Sequence, residues 1–382
     1  MLDRPDLSVV IIGRNEGERL TRCLESVAAA RPPVGFWEII YVDSASSDDS
    51  VQRAGRLGAN VISLAPTRPC ASIGRNVGWR AAHAAVVLFL DGDTVLAPDF
   101  VNQTLCEFSD PKVGVVFGNR RESNTEGSIY NRVLDLDWII PPGPIEFCGG
   151  DALMRREVLE AVGGYDEGLM AAEDTELCAR IRAIGYQILH VDRPMVRHDL
   201  AITRFSQYWR RALRTGYAYA EVSERIHRRD SPIWYDQAQH NRVNGAVMTA
   251  IVAGAPILAV AARSFAPILI GTAIIVMLAV RNAIHSRWKK VRLSTRLLYG
   301  LHSHLVQIPL LLGQLKYQLD RLGGRTRKLI EYKDVSTTVP NKEGFRSSDQ
   351  VNDPMPDWQR GEREAKATAS RPREMIREDQ AD

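Results

Sequence analysis

Cysteine is scarce in this 382-residue chain, and the five present, Cys23, Cys70, Cys106, Cys148 and Cys178, stand singly with no CxxC spacing. That pattern excludes a zinc ribbon and a disulfide framework, and it fits a reducing compartment. An excess of charge of one sign is also missing: 49 Lys and Arg oppose 46 Asp and Glu, for a net charge of +3. The basic residues gather beside apolar C-terminal segments and form no aromatic-interleaved patch, so nucleic acid is not an expected partner. No GxGxxG follows the first apolar run and no GxxxxGK[ST] occurs anywhere, which removes support for dinucleotide-binding and P-loop ATPase readings. The apolar run from Leu7 to Ile12 is short, and Arg14, Glu16, Glu18 and Arg19 follow at once. Such a run is no signal peptide, and the amino-terminal part is expected to stay in the cytosol. No internal repeat is visible.

What is present is an alternation. Residues 8–12 read as a strand, and residues 15–30 carry Leu20, Cys23, Leu24 and Val27 at helical spacing with Asn15 as the expected N-cap. A second strand spans 37–42 and ends in Asp43, a helix runs to Leu57, a third strand covers 60–64, and a helix covers 72–82. The fourth strand is the run VVLFLDGDT from Val86 to Thr94, apolar until it breaks into Asp91, Gly92 and Asp93. The alternation predicts an α/β domain with right-handed crossovers, a mostly parallel central sheet, and ligand-binding loops along the carboxyl edge, where Asp43 and Asp91 both fall.

Two carboxylates at the end of a buried strand suit a hard divalent cation, Mn²⁺ or Mg²⁺, which can bridge the oxygens of a diphosphate. Asp–Gly is also an ordinary turn after a strand. A calcium loop counted from Asp91 is excluded, because Leu96 stands where its glycine belongs and Asn102 where its glutamate belongs.

Several segments then occur in a fixed order: SVVIIGRNE from Ser8, VDSASSD from Val42, GRNVG from Gly74, and Asp91–Gly92–Asp93. Further on stand CGGDALMRR from Cys148, GGYDE from Gly163, and AEDTELCAR from Ala172. Over roughly the first 215 residues this order resembles a family 2 glycosyltransferase with the GT-A fold, and several ordered motifs are far more specific than any one alone.

The resemblance implies a transfer of sugar from a nucleoside diphosphate, UDP being the expected carrier. Asp93 would ligate the metal. Asp91 would contact the ribose or uracil side of the donor, and Asp43 and Arg75 would hold base and ribose. Gly149, Gly150, Asp151 and Glu173 would form the acceptor side, and Asp174 would be the general base of an inverting displacement. His198 is a candidate additional metal ligand. Simpler roles exist for each: Asp43 can cap a helix, Arg75 can be a solvated helix residue, Glu173 and Asp174 can be first-turn acids of a helix over 175–184, and His198 can be a satisfied core histidine. The sequence QYWRR from Gln207 partly resembles the Gln–x–x–Arg–Trp motif of processive relatives. Arg211 stands where tryptophan belongs, which puts processivity in doubt, while Arg210 or Arg211 could meet the diphosphate.

Residues 245–262 and 265–280 are apolar runs separated only by Arg263 and Ser264. As helices they reach about 24–27 Å each, enough for a tight transmembrane hairpin. Buried helices of a soluble domain are the plainer alternative. Arg242 precedes the pair and Arg281, Arg287, Lys289, Lys290 and Arg292 follow it. The positive-inside rule therefore keeps both ends, and the catalytic domain, at the cytoplasmic face of the cell membrane.

The expected organisation is a GT-A domain over 7–225, a linker or amphipathic segment over 226–243, a membrane hairpin over 244–282, an interfacial helical segment over 283–332, and a disordered tail over 333–382. Pro141, Pro142, Gly143 and Pro144 mark an expected loop near the acceptor site. The acceptor is expected to be lipid-linked or carbohydrate. The competing reading is a catalytically inactive scaffold that binds nucleotide sugar within a membrane polysaccharide assembly. A transporter is disfavoured by two short spans without intramembrane charge.

Overall fold

In the computed structural model, which describes residues 5–30, 35–227 and 234–324, the strands form where the apolar runs are. Strands β1 (Leu7–Gly13), β2 (Trp37–Ser44), β3 (Asn60–Leu64) and β4 (Val86–Asp91) alternate with helices α1 (Glu18–Ala30), α2 (Ser50–Arg56) and α3 (Ala71–Ala81). Val87, Leu88, Phe89 and Leu90 are wholly buried, as a strand covered on both faces must be. Helix α1 buries Leu20, Cys23, Leu24 and Val27, the stripe that its spacing dictates.

The four strands run parallel in the order β3-β2-β1-β4, with Gly13 of β1 opposite Asp43 and Ile12 opposite Asp91. That register delivers both aspartates to one carboxyl edge. Asn15 does not cap α1, which begins only at Glu18. Its backbone is left-handed at φ 56°, and its side chain instead accepts the Ser47 N–H at 2.7 Å, tying the loop after β1 to the loop after β2.

Beyond β4 the sheet becomes mixed. There follow β5 (Thr94–Leu96), α4 (Phe100–Thr104), β6 (Val113–Glu122), α5 (Ile129–Asp137), β7 (Gly143–Ile145), β8 (Ala152–Arg155), α6 (Arg156–Val162), α7 (Glu173–Ala183) and β9 (Gln187–His198). The complete order is β3-β2-β1-β4-β8-β6-β9-β5, with β7 on β9. Strand β8 is antiparallel to both β4 and β6, so β6 points the same way as β4 and ends on the same edge. Part of the expected proline-rich loop is ordered as β7, which pairs antiparallel with β9. His198 is the last residue of β9, opposite Thr94 of β5. All five cysteines are free thiols.

The C-terminal region is helical. Helices α8 (Phe205–His227), α9 (Tyr235–Thr249), α10 (Ala255–Ala262), α11 (Ala266–His285), α12 (Leu293–Leu305) and α13 (Gln307–Leu322) follow, with a π-helical turn at Ala250–Gly254 joining α9 to α10. Tyr235–Ala262 is thus one helix of 28 residues, and Ala266–Lys289 is a second of 24; both are long and apolar enough to cross a membrane. Ile257, Val260, Phe265, Leu269 and Met277 are exposed along them among the described residues, so these are not the buried core helices of the alternative reading.

Helices α8 and α13 touch backbone to backbone. A Cβ on Gly313 would fall 2.7 Å from the Tyr217 N, and one on Gly216 would fall 2.7 Å from the Leu310 Cα. His302 of α12 is turned inward: it is buried, and its Nδ1 lies 2.7 Å from the Tyr208 hydroxyl. The expected linker over 226–243 is helical from Tyr235, and residues 228–233 and the expected tail lie outside the described residues.

Candidate active site

Asp91 terminates β4, and the turn at Gly92 carries Asp93 back toward the end of β9. Asp93 Oδ1 and His198 Nε2 are 3.4 Å apart, and a ligand atom from each of Asp91, Asp93 and His198 can be chosen so that all lie within 4.8 Å of one another. Two carboxylates and an imidazole, with Asp93 and His198 buried, are a donor set for a divalent cation.

Arg75 is the hub on the other side of Asp91. It projects from α3, is 3% exposed, and donates from Nη2 to Asp91 Oδ1 at 2.8 Å and from Nη1 to Glu173 Oε1 at 2.6 Å. The same Nη1 lies 3.3 Å from Asp174 Oδ1. One guanidinium thereby joins the end of β4 to the first turn of α7. The planar fork is what makes this possible, since a lysine ammonium has no two-armed geometry.

A second guanidinium, that of Arg120, two residues before the end of β6 on the same edge, pairs with Asp151 and, at 3.9 Å, with Asp91 Oδ2. Asp151 in turn accepts the Asp91 N–H at 2.9 Å. Asp91, Asp93, Asp151, Glu173 and Asp174 therefore share a small volume with two guanidiniums. That surplus of negative charge favours an added cation.

Burial is the main influence on Asp174, and it pushes the carboxyl up to about 7 against the lowering effect of Arg75, with Glu173 and Asp91 raising it further. Desolvation therefore outweighs the like charge of the adjacent Glu173. Asp151 is likewise pushed up by burial, to about 6.

The other expected residues fall into three places. Gly150 packs directly on Arg75 and Asp91, and Gly149 lies beside Arg120, so both glycines border the cluster of Arg75, Asp91 and Arg120. Asp43 is buried at the end of β2, where its carboxylate accepts from the Tyr41 hydroxyl at 3.0 Å and from the Ser46 N–H at 2.8 Å, shaping the loop over 43–47. Arg210 is exposed on α8, donating to the Ser206 carbonyl at 3.3 Å, whereas the charge of Arg211 acts on Asp137 at the end of α5.

Arg120 and Trp138 were not legible as site residues. The Trp138 ring stands edge-on to His198 at 5.4 Å, and the Arg120 guanidinium lies 5.4 Å from the same ring. An arginine at the carboxyl end of a strand was the available signal, and it becomes informative only once β6 is known to point the same way as β4.

Comparison with known proteins agrees with this geometry. The family model for glycosyl transferase family 2 matches residues 8–163, and that for glycosyl transferase family group 2 matches residues 86–284. The chain is 26% identical over 207 residues to a probable glycosyltransferase, YdaM, of Bacillus subtilis, covering 49% of each chain. It is 28% identical over 211 residues to a pre-mycofactocin glycosyltransferase of Mycobacterium tuberculosis, covering 51% of this chain and 43% of that one. The chain thus spans about half the length of these curated relatives. Among solved structures, the mannosyltransferase PcManGT from Pyrobaculum calidifontis, in complex with GDP-Man and Mn²⁺, superposes with a TM-score of 0.60 at 19% identity, over 84% of this chain and 89% of that one. That likeness establishes the α/β GT-A-like fold, and with the family match over more than half of its length the chain belongs to glycosyl transferase family 2.

Proposed function

We propose that this chain is a divalent-metal-dependent, inverting glycosyltransferase that moves a sugar from a nucleotide sugar, with UDP as the expected carrier, to a membrane-associated acceptor in glycolipid or polysaccharide synthesis. The observation that carries the reading is Asp174. It sits at the rigid start of α7, next to the donor-side Arg75 cluster, and burial pushes it up to about 7, the range of a working general base.

Asp91, Asp93 and His198 fit a Mn²⁺ or Mg²⁺ ion, which when bound would supply Lewis-acid stabilisation of the departing diphosphate. The protein's own groups do the rest. The Asp43 loop holds base and ribose. Arg75 fixes Asp91 on one side and the Glu173–Asp174 pair on the other, so donor and base keep one geometry. The Asp174 carboxylate takes the proton of the acceptor hydroxyl as its oxygen attacks the anomeric carbon from the face opposite the leaving group.

The two exposed apolar helices support an anchor that keeps the site at the cytoplasmic face, where basic flanks hold both ends. An inactive scaffold would have no use for a metal triad and a carboxyl tuned to about 7 at once.

The test is turnover of a panel of nucleotide sugars with Mn²⁺ or Mg²⁺, using membranes that carry the wild-type chain or Asp174→Asn. Metal-dependent release of one nucleoside diphosphate by the wild type, lost in the variant, is expected. Metal-dependent binding without turnover of any donor, in the presence of membrane acceptors, would favour the scaffold.

A further inference from the structure

A cavity of about 450 Å³ lies between the catalytic domain and the C-terminal helices. Its walls come from six elements: Val133 of α5, Tyr208 of α8, Thr249 of α9, Val252 and Ala253 of the π-helical turn, Leu301 of α12 and Ile308 of α13 are among them. The volume lies in the range of roughly 300–1,000 Å³ that small-molecule pockets occupy.

The lining is almost wholly carbon, and two of its few polar side chains are bonded within the protein. The Tyr208 hydroxyl is bonded to His302 Nδ1 at 2.7 Å, and the Thr249 hydroxyl donates to the Gly245 carbonyl at 2.7 Å. A guest would therefore meet a predominantly apolar wall, which favours a hydrocarbon over a sugar, a nucleotide or water.

The position of the cavity is equally selective. Thr249 to Ala253 lie one to two turns inside the apolar part of the first long helix, where the π-helical turn widens the backbone. Distortions of this kind are frequent at functional sites. The same helix continues into Ile257, Leu258 and Val260, all exposed, so the cavity wall is continuous with the surface offered to lipid tails.

One lining residue, His302, connects the cavity to the active site through its neighbours. His302 Nε2 lies 3.6 Å from Asp137 Oδ2, and Trp138, the next residue, stands edge-on to His198. An apolar chamber thus adjoins a polar path to the metal triad.

We propose that this cavity seats the hydrocarbon chain of the lipid acceptor, with the polar head of that lipid reaching past His302 and Trp138 toward Asp174. The inference rests on the membrane-acceptor reading above and specifies where the acceptor is held.

The experiment uses the full-length protein in phosphatidylcholine vesicles doped with a palmityl phosphate that carries a terminal diazirine. Photolabelling is mapped by peptide mass spectrometry, and donor turnover is measured in parallel. Label is expected on peptides of α5, the π-helical turn and α12, displaced by unlabelled palmityl phosphate and not by butyl phosphate. Ala253→Trp and Leu301→Trp, two changes at positions open to solvent or to the cavity, should each cut that labelling and the transfer to membrane lipid by at least about tenfold, because a bulky side chain displaces several methylenes. Metal-dependent donor binding should be unchanged in both, which shows that they fold.

Label confined to the outward faces of α11, or label that palmityl phosphate fails to displace because bulk phospholipid fills the cavity, would overturn the proposal while donor turnover upheld the transferase. Specific cavity labelling that both tryptophans abolish, with no donor turnover by the wild type, would keep the chain site and sink the transferase reading.

Discussion

Two neighbouring glycines give the sharpest quantitative test of the site. A methyl group added at Gly150 would fall on Arg75 Nη2, well inside contact distance, with Cζ at 3.0 Å and Asp91 Oδ1 at 3.2 Å. An arginine tip would ordinarily swing away at little cost. Here it is 3% exposed and held by Asp91, Glu173 and Asp174, so moving it breaks at least one charged hydrogen bond.

Such a bond is worth about 1.5–3 kcal/mol and overpacking costs about 1–3 kcal/mol. A loss of about 3 kcal/mol is therefore expected for Gly150→Ala, or a fall of about 6–12 °C in Tm. Displacement of Arg75 by about 1 Å should also lower transfer by roughly 10²-fold. At Gly149 the same methyl meets nothing nearer than Arg120 Nη1 at 3.6 Å, an ordinary contact, and neither glycine has a left-handed φ. Gly149→Ala should leave turnover intact and stabilise by about 0.4–1 kcal/mol through the unfolded chain. Thermal unfolding and nucleoside diphosphate release measure both variants. Equal tolerance at the two positions, or damage at Gly149 alone, would refute the placement of Arg75 as a locked hub.

Other outcomes can be checked independently. Since Asp174 acts as a base only when deprotonated and burial raises it to about 7, kcat/KM should climb with pH to a midpoint near 7 and be lost below it; a profile flat from pH 5 to 9 would remove Asp174 from that role. Asp174→Asn should retain donor binding and lose transfer by about 10²–10⁴-fold. Asp93→Ala should abolish metal-dependent donor binding, read by titrating Mn²⁺ against a fluorescent nucleotide sugar, and unchanged binding would free Asp93 of its assignment. Tyr208→Phe removes the partner of His302 and should cost about 1 kcal/mol in thermal unfolding. Deleting residues 245–281 should release the chain from membranes, and tight association after deletion would move the anchor to α12 and α13.

The parallel half of the fold was legible because each element there is made by a local pattern. Val86 to Leu90 can only be a doubly buried strand, and the alternation fixes the shared edge of Asp43 and Asp91. The antiparallel insertions were not legible: nothing local to Ala152–Arg155 says that it lies between β4 and β6, and without that neighbour Arg120 has no visible reason to approach Asp91. The same difficulty applied to Asp151, expected on the acceptor side, whose side chain instead braces the Asp91 backbone and pairs with Arg120. His302 is a further residue whose place no local pattern reveals. Its polar atoms face Tyr208 and Asp137 across a tertiary contact that no helical period encodes.

The glycine contact between α8 and α13 has a mechanical consequence. With Gly216 and Gly313 allowing the two backbones to touch, the helices have no side-chain cushion through which to slide or tilt. The catalytic domain is then held like a tool in a clamp, at one fixed standoff from whatever surface the C-terminal helices occupy. On the proposed reading, in which that surface is a membrane and Asp174 the base, a hydroxyl presented higher or lower than that standoff would miss Asp174 however well its chemistry matched, and reach above the membrane would be a criterion of acceptor choice in its own right.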